Sequence, residues 1–250
     1  MTDAELEARL LSNIMAYKQF QADHGSLRSL VLPGLSAFAQ PENPRVLGQQ
    51  QVFFQKAEEL VAALPALEDF YRSHGVQLWQ VWVVPGNTAG QALDRAGYRP
   101  EGSTAAMGLS LADTPLAPPS IPLEPLPTQE ELVPLNVEAF GSVAPMKIRA
   151  WHAQSHAPMH LLGVREQGLL VAGGMAFDML DTSGIYLVAT ATTARKRGLA
   201  SEVMRGLLMD ARARNQAAAV LQSTLLGLGV YRRLGFRELG AWVNWVRRLS

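Results

Sequence analysis

The sequence predicts an α/β (α+β) protein built in two halves, and three observations carry that prediction. Segments with the apolar period of helices alternate with short runs that have the period of strands. A proline-rich stretch, 113–127, divides the 250 residues near the middle. The segments LDRAGYRPEG (93–102) and YRRLGFRELG (231–240) align without gaps near the ends of the two halves, which indicates an internal duplication.

The composition is that of a folded protein with no overall attraction to acidic partners. The 22 Lys and Arg residues balance 22 Asp and Glu residues, so the formal net charge is +0. This balance argues against nucleic-acid partners and acidic membrane surfaces. The absence of cysteine excludes disulfides and thiolate metal ligands. The first twenty residues lack the apolar run of a signal peptide, and no segment approaches membrane-spanning length, so we expect a cytoplasmic protein.

The first half, 1–112, begins with an amphipathic helix whose apolar face includes Leu6 and Leu10. The run SLVLPGLSAFAQ predicts strands, and a helical region covers about 53–73, where Pro65 could break it. VQLWQVWVV then predicts a strand, TAGQALDRAG a short helix and MGLSL a closing strand.

The stretch 113–127, DTPLAPPSIPLEPLP, is predicted to link this half to a second domain, 128–250, because its prolines exclude regular helix and favour extended geometry. The second domain begins with helical segments, QEELVPLNVEAF and PMKIRAWHAQ. Three apolar runs follow, MHLLGVR, LLVAGGMAF and IYLVAT, and the turn signals between them predict an antiparallel meander. AAAVLQS predicts a buried strand, LGLGVYRRLG a short helix and FRELGAWVNWVRRL one or two strands.

The segment 192–211, TTARKRGLASEVMRGLLMDA, carries the clearest functional signal. It predicts an amphipathic helix that begins near Gly198, where no Ser, Thr, Asp or Asn immediately precedes as an N-cap. The first N–H groups of the helix therefore lack an obvious side-chain partner. Arg195, Lys196 and Arg197 add positive charge to a helix end that is already electropositive. The pattern favours a bound phosphate or pyrophosphate; a helix start with solvated basic residues is the alternative.

The order of the neighbouring elements resembles that of the GNAT superfamily of acyl-CoA-dependent N-acetyltransferases. The strand IYLVAT precedes R-K-R-G-L-A (195–200), which matches the family's Q/R-x-x-G-x-G/A turn, and Y-R-R-L-G-F (231–236) matches its late Y-x-x-x-G-F element. The resemblance covers 128–250, and the first half resembles the same fold in degenerate form. It therefore implies two GNAT-like domains in tandem, each a mixed, mostly antiparallel sheet flanked by helices.

The resemblance also implies a cosubstrate and a reaction. It implies acetyl transfer from acetyl-CoA to a primary amine of a small molecule or peptide, by direct attack in a ternary complex and without a metal. The pantetheine arm would lie where the fourth and fifth strands splay apart. The cofactor-binding residues that it implies are Val188, Ala189, Thr190, Arg195, Lys196, Arg197, Gly198, Leu199, Ala200 and Ser201. Tyr231 would protonate the leaving thiolate, whereas without the resemblance it would be interpreted as a packing aromatic residue.

Several features stay open at this point. The general base is undetermined among Asp178, Asp181, Tyr186 and a water chain. A second group, His152, His156 and His160, has no accompanying carboxylate cluster, so we expect an acceptor pocket or a polar helix end there and not a metal site.

In the first half, RVLGQQ (45–50) is the nearest candidate for a phosphate-binding turn. Gln50 replaces the small residue of the turn, and Leu93 stands where the second half has Tyr231. We therefore expect no cofactor binding in that half.

The alternative function is a non-catalytic acyl-CoA-binding sensor or scaffold. A non-amine acceptor, a longer acyl chain, and a monomer or a homodimer are also open.

Overall fold

A computed structural model describes residues 1–25, 27–140 and 158–249. The helix predicted in PMKIRAWHAQ and the two histidines His152 and His156 lie outside the described residues. Within the described ranges the α-helices are α1 (Asp3–His24), α2 (Ala57–Ser73), α3 (Gly90–Arg95), α4 (Leu132–Phe140), α5 (Leu199–Ala213) and α6 (Leu228–Arg233). The strands are β1 (Arg28–Leu32), β2 (Leu35–Ala39), β3 (Gln51–Phe54), β4 (Leu78–Val83), β5 (Arg99–Ser110), β6 (Glu124–Pro125), β7 (Met159–Glu166), β8 (Leu169–Met179), β9 (Thr182–Thr190), β10 (Ala218–Ser223) and β11 (Arg237–Arg248).

The chain forms two compact units, neither of which is continuous in sequence. Unit 1 consists of Met1–Ile14 and Ala105–Leu239, and unit 2 consists of Met15–Thr104 and Gly240–Ser250. Helix α1 and strands β5 and β11 thus contribute residues to both units. The division into a first domain, a linker and a second domain, with boundaries at 112 and 128, remains a proposal.

Unit 1 is a mixed sheet with helices on both faces. Its strands follow the order β5-β10-β9-β8-β7-β6, and the pair β9–β10 is parallel while the other pairs are antiparallel. A Cβ atom on Gly174 would meet Val203 and Leu207 of α5, whereas one on its neighbour Gly173 would meet Leu132 of α4. Because successive residues of a strand point to opposite faces, α5 and α4 cover opposite faces of the sheet.

Helix α5 confirms the predicted apolar stripe. Val203, Met204, Leu207, Leu208 and Ala211 are all buried in the core of unit 1. They recur with the period of one helix face, so their burial is what anchors the helix to the sheet.

Unit 2 contains strands in the order β1-β2-β3-β4-β11, with β3 and β4 parallel. Helix α2 buries Tyr71, which stacks on Trp79 with ring centroids 4.6 Å apart. The predicted break at Pro65 is wrong, because α2 continues through that residue. Pro65 cannot donate a hydrogen bond to the carbonyl of Val61, but Val61 lies on the exposed side of the helix, where water can reach it. The start of the predicted helical region is also wrong, because its first two residues, at 53 and 54, belong to β3.

The proline-rich stretch contains no helix, as predicted, but it packs closely on unit 1. Leu116, Ile121 and Leu123 contact the core cluster of that unit. The backbone N–H of Ser120 donates to a carboxylate oxygen of Glu202 in the first turn of α5, at 2.6 Å. The stretch is therefore held against α5 along its length.

The two aligned decapeptides have matching local structures. Each begins within the second half of a six-residue helix, α3 or α6, and the residue after the helix C-cap is a glycine of positive φ, Gly97 (81°) or Gly235 (94°). The following N–H closes the turn in both cases, on the carbonyl of Leu93 at 2.9 Å and on that of Tyr231 at 3.1 Å. Glycine is favoured at this position because left-handed backbone ends the helix. The match supports the proposed duplication.

Candidate functional site

Strands β9 and β10 part in the middle of unit 1. Their parallel pairing ends at Gly184 and Val220, although β9 continues to Thr190 and β10 to Ser223. The far edge of β10 stays paired with β5 as far as Ser223 and Ala105. The strands therefore diverge towards their carboxyl ends, at the position where the resemblance implied a cleft.

A β-bulge lies on β9 beside this opening. The register with β8 shifts between Gly173 and Met175, so that Gly174 faces both Leu187 and Val188. Leu187 has a φ of 56°, in the left-handed region that non-glycine residues rarely adopt. Bulges re-aim the backbone locally, so the peptide between Leu187 and Val188 departs from the regular ladder, which resumes at Ala189.

Asn136 of α4 holds the bulge. Its side-chain Nδ2 donates to the carbonyl of Leu187 at 3.1 Å and to that of Leu132 at 2.9 Å. The side chain is buried, with 2% of the residue exposed. Sequence reasoning missed this residue; the only signal was one amide within the apolar helix LVPLNVEAF.

The basic glycine turn follows β9 directly. Lys196 has a φ of 62°, and Gly198, with a φ of 81°, is the N-cap of α5 and makes no side-chain capping hydrogen bond. The predicted uncapped helix start is therefore confirmed. A Cβ atom on Gly198 would have no atom within 4 Å, so its backbone is open to an approaching ligand. The N–H groups of Ser201 and Glu202 donate to the carbonyl of Gly198, as in a regular first turn.

The three basic side chains of the turn have different surroundings. Arg197 forms an ion pair with Glu166, with Nη1 3.0 Å from Oε2, and the pair lowers the pKa of Glu166 and raises that of Arg197. Arg195 donates from Nε to the carbonyl of Thr190 at 3.3 Å. Among the described residues, we find no hydrogen bond or ion pair for Lys196. Lys196 and Arg195 thus leave more uncompensated charge at the turn than Arg197 does.

Helix α4 contacts the same segment a second time. The N–H of Thr192 donates to Oε1 of Glu138 at 2.6 Å. Hydrogen bonds from the side chain and backbone of Thr192 lower the pKa of Glu138, and the charge of Arg195 adds to this effect. Helix α4 therefore fixes the backbone at both ends of 187–192.

The structure distributes the predicted cofactor residues over one continuous segment. The end of β9 contains Val188, Ala189 and Thr190. The turn contains Arg195, Lys196 and Arg197, and the start of α5 contains Gly198 as its N-cap, followed by Leu199, Ala200 and Ser201. The Oγ1 atom of Thr190 is buried and has no hydrogen-bond partner among the described residues. Leaving a buried hydroxyl without a hydrogen-bond partner costs free energy.

Tyr231 lies in α6, which follows β10. Its ring meets Phe236 edge to face, with centroids 5.9 Å apart, and packs on the same core as Val188. Its hydroxyl makes no hydrogen bond that we find within the described residues. Burial raises the pKa of Tyr231 to about 12. The phenol is therefore a protonated, unengaged donor at neutral pH.

The candidate bases are engaged in contacts that stabilise the fold. Burial alone would raise the pKa of Asp178, but hydrogen bonds from His160, Arg214 and Ser183 hold it at about 2. A carboxylate of such low basicity is a poor proton acceptor at neutral pH.

The other two candidates are engaged as well. Asp181 is exposed and pairs with Arg9, and the hydroxyl of Tyr186 donates to Asn13 at 2.7 Å. Within the described part of the chain, no group of three or more His, Asp or Glu residues could hold a metal ion, and no helix is long and apolar enough to cross a membrane.

These features define a mixed α/β domain with two parted strands and an uncapped, basic helix start after the carboxyl end of one of them. Comparison with known families agrees with that class. Residues 129–239 match the family model described as the acetyltransferase (GNAT) domain. Among curated proteins, none matches the chain.

Solved structures show the same fold over nearly the whole chain. A GCN5-related N-acetyltransferase from Kribbella flavida is 18% identical, with a TM-score of 0.69 over 95% of this chain and 96% of that one. A GCN5-related N-acetyltransferase from Sphaerobacter thermophilus is 16% identical, with a TM-score of 0.62 over 96% and 91%. A tandem GNAT protein from the clavulanic acid biosynthesis pathway is 11% identical, with a TM-score of 0.55 over 96% and 95%. At these identities the likeness establishes the fold alone.

Proposed function

We propose that this chain transfers an acetyl group from acetyl-CoA to a primary amine of a small molecule or peptide, by direct attack within a ternary complex. The observation that carries the proposal is the uncapped turn at Gly198, directly after a strand that has parted from its neighbour. Backbone N–H groups at a helix start bind phosphate groups well. The family match over 129–239 supports acyl-CoA as the donor.

The residues present fit the pyrophosphate and pantetheine of coenzyme A. Within the segment 195–201, the amides between Arg195 and Ser201 would hold the pyrophosphate, since those two residues' own N–H groups donate to Thr192 and Gly198. Arg195 and Lys196 would add charge to the site. The free edge of β9 from Val188 to Thr190 would pair with the amide groups of the pantetheine arm. When bound, acetyl-CoA supplies a thioester whose carbonyl carbon accepts the amine.

Two groups of the chain would then act on the reacting atoms. The N–H of Val188, in the bulge, would donate a hydrogen bond to the carbonyl oxygen as negative charge develops there. The hydroxyl of Tyr231 would give its proton to the thiolate that leaves when the carbon–sulfur bond breaks. The amine proton passes to solvent or to a base that we do not assign.

A titration of the purified protein with acetyl-CoA by calorimetry tests the proposal, with two matched variants. Gly198→Glu places bulk and negative charge at the turn, and it also strains a backbone with a φ of 81°. Gly75→Glu is the control, because Gly75 has a φ of 69°, equally open space around its Cβ position and a place in unit 2. We expect both variants to lose similar stability and only Gly198→Glu to lose binding.

The outcomes separate the possible functions. Binding followed by turnover with a member of an amine panel would support the transferase. Binding without acetyl consumption across the panel would favour the sensor or scaffold. A folded wild-type chain that binds no acetyl-CoA would contradict both functions.

A further inference from the structure

We infer that Asn136 is a positioning residue for acetyl transfer: it sets the orientation of the peptide between Leu187 and Val188. This inference rests on the proposed function, in which the N–H of Val188 polarises the thioester. The observation behind it is the pair of hydrogen bonds from the buried Asn136 amide to the carbonyls of Leu132 and Leu187.

The geometry of one peptide bond connects the carbonyl of Leu187 to the N–H of Val188. A trans peptide is planar, and its carbonyl and N–H point in opposite directions. The carbonyl of Leu187 is held by Asn136 on the α4 side of the sheet. The N–H of Val188 must therefore point away from α4. Because the peptide is planar, the Asn136 side chain that holds the carbonyl of Leu187 also fixes the direction of the Val188 N–H.

The local backbone explains why this peptide needs a support. Leu187 adopts a φ of 56°, which is unfavourable for a branched side chain. Such a conformation persists only where the surroundings impose it. Gly174 lies opposite the bulge, on β8. A Cβ atom there would lie only 3.0 Å from a methyl group of Val188, so glycine leaves the room that the bulge needs. Without the Asn136 donor, Leu187 is free to return to extended backbone and to rotate the peptide.

The support is anchored at both ends of α4. The amide of Asn136 is itself fixed by its second bond, to Leu132, whose side chain fills the space above Gly173. At the other end, Glu138 holds the N–H of Thr192. Through these contacts α4 supports, at Leu187 and at Thr192, the segment that is proposed to bind the cofactor.

The chain contains a matched control for this residue. Asn13 of α1 is also buried, and its Nδ2 donates to two carbonyls of the same pair of strands, Phe177 at 3.1 Å and Thr182 at 3.2 Å. It braces the opposite end of β9. Asn13 also accepts a hydrogen bond from the side chain of Tyr186, which precedes the bulge, so it is a stringent control.

The experiment compares Asn136→Leu with Asn13→Leu in the full chain. Both changes keep the number and branching of the side-chain heavy atoms and remove both N–H donors from buried carbonyls, so we expect both to lower Tm. Only Asn136→Leu should lower kcat, by about 10- to 100-fold, because the oxyanion donor is misdirected. The KM for acetyl-CoA and the Kd for coenzyme A should change much less than kcat, since pyrophosphate binding does not depend on this peptide and only the pantetheine contact at Val188 adjoins it.

A second measurement does not require an acceptor. In ¹⁵N-labelled wild-type protein, the amide resonance of Val188 should differ between the coenzyme A and acetyl-CoA complexes, because only the latter offers a carbonyl oxygen. The difference should persist in Asn13→Leu and vanish in Asn136→Leu.

Three results would overturn the inference. They are equal kcat losses in the two variants, a loss of coenzyme A affinity as large as the loss of kcat, and an unchanged Val188 difference in Asn136→Leu. A wild-type chain that binds acetyl-CoA but transfers nothing would contradict the proposed transferase and still leave the resonance measurement to decide the role of Asn136. A chain that binds no acetyl-CoA would overturn both proposals.

Discussion

At the scale of single residues, Tyr231 is partly buried and its hydroxyl has no hydrogen-bond partner within the described structure. Burial raises its pKa to about 12, because the phenolate would be poorly solvated. We therefore expect Tyr231→Phe to lower kcat by about 100-fold, the usual scale for a lost general acid, and to leave the Kd for acetyl-CoA nearly unchanged. Steady-state kinetics and calorimetry on the same preparation measure the two effects.

The pH dependence follows from the same shift. A group with a raised pKa keeps its proton as the pH rises, so the wild-type rate should not decline on the alkaline side up to about pH 10. Tyr71→Phe is a matched control, because that buried tyrosine in unit 2 donates to the carbonyl of Phe38 and has a pKa well above its usual value. Unchanged kcat in Tyr231→Phe, or equal losses in both variants, would remove Tyr231 from the reaction.

Residues that act through local sequence could be predicted, and those that act across strands could not. The uncapped start at Gly198 depends only on neighbouring residue types, and the structure confirms it. The bulge at Leu187 depends on the register between β8 and β9, and the role of Asn136 depends on where α4 packs. A single sequence records neither the register nor the packing, so both were missed.

At the scale of elements, the proline-rich stretch illustrates the same difference. Its prolines exclude helix, which is a local effect and was predicted correctly. Its contact with α5 is not local: Glu202 lies in the first turn of α5 and accepts the N–H of Ser120 at 2.6 Å, 82 residues away in the chain. Burial alone would raise the pKa of Glu202, but this bond and a contact with Arg205 hold it below its usual value, so the carboxylate is charged at neutral pH.

We expect Glu202→Ala to release the stretch, because the N–H of Ser120 loses its charged acceptor and α5 loses a favourable charge in its first turn. Limited proteolysis, followed by mass spectrometry of the cleavage sites, should show cuts within 113–127 several times faster than in wild-type protein. Glu238→Ala removes an exposed carboxylate that pairs with Arg232 and should leave the rate unchanged. Fast cleavage of the wild-type stretch would show that it is a free linker after all.

At the scale of the whole molecule, the question is how many cofactor sites one chain contains. In unit 1, a turn with two positive-φ residues separates β9 from α5. In unit 2, the equivalent connection from β3 to α2 contains only Gln55 and Lys56, and Lys56 is the extended N-cap of α2. The N–H of Gln55 already donates to the carbonyl of Gly34 at 2.8 Å. No glycine opens this helix start, so the connection from β3 to α2 lacks the feature on which the proposed site depends.

The stretch RVLGQQ does not supply that feature either. It contains a short 3-10 helix, Leu47–Gln49, and continues into β3 rather than into an α-helix. Its Gln50 side chain is occupied in the loop before the strand, where it accepts the N–H of Gln40 at 2.9 Å and donates to the carbonyl of Asn43 at 3.0 Å. These contacts support the expectation that the first half does not bind the cofactor.

We therefore expect one molecule of acetyl-CoA per chain, bound in unit 1. Native mass spectrometry counts bound molecules directly, and the calorimetric stoichiometry gives an independent value. Lys56→Glu reverses the charge at the helix start of unit 2 and should leave the titration unchanged, whereas Gly198→Glu should abolish it. Two molecules per chain, with one lost in each variant, would mean that the short connection before α2 binds phosphate without a glycine turn, and the geometric basis for placing the site at Gly198 alone would be wrong.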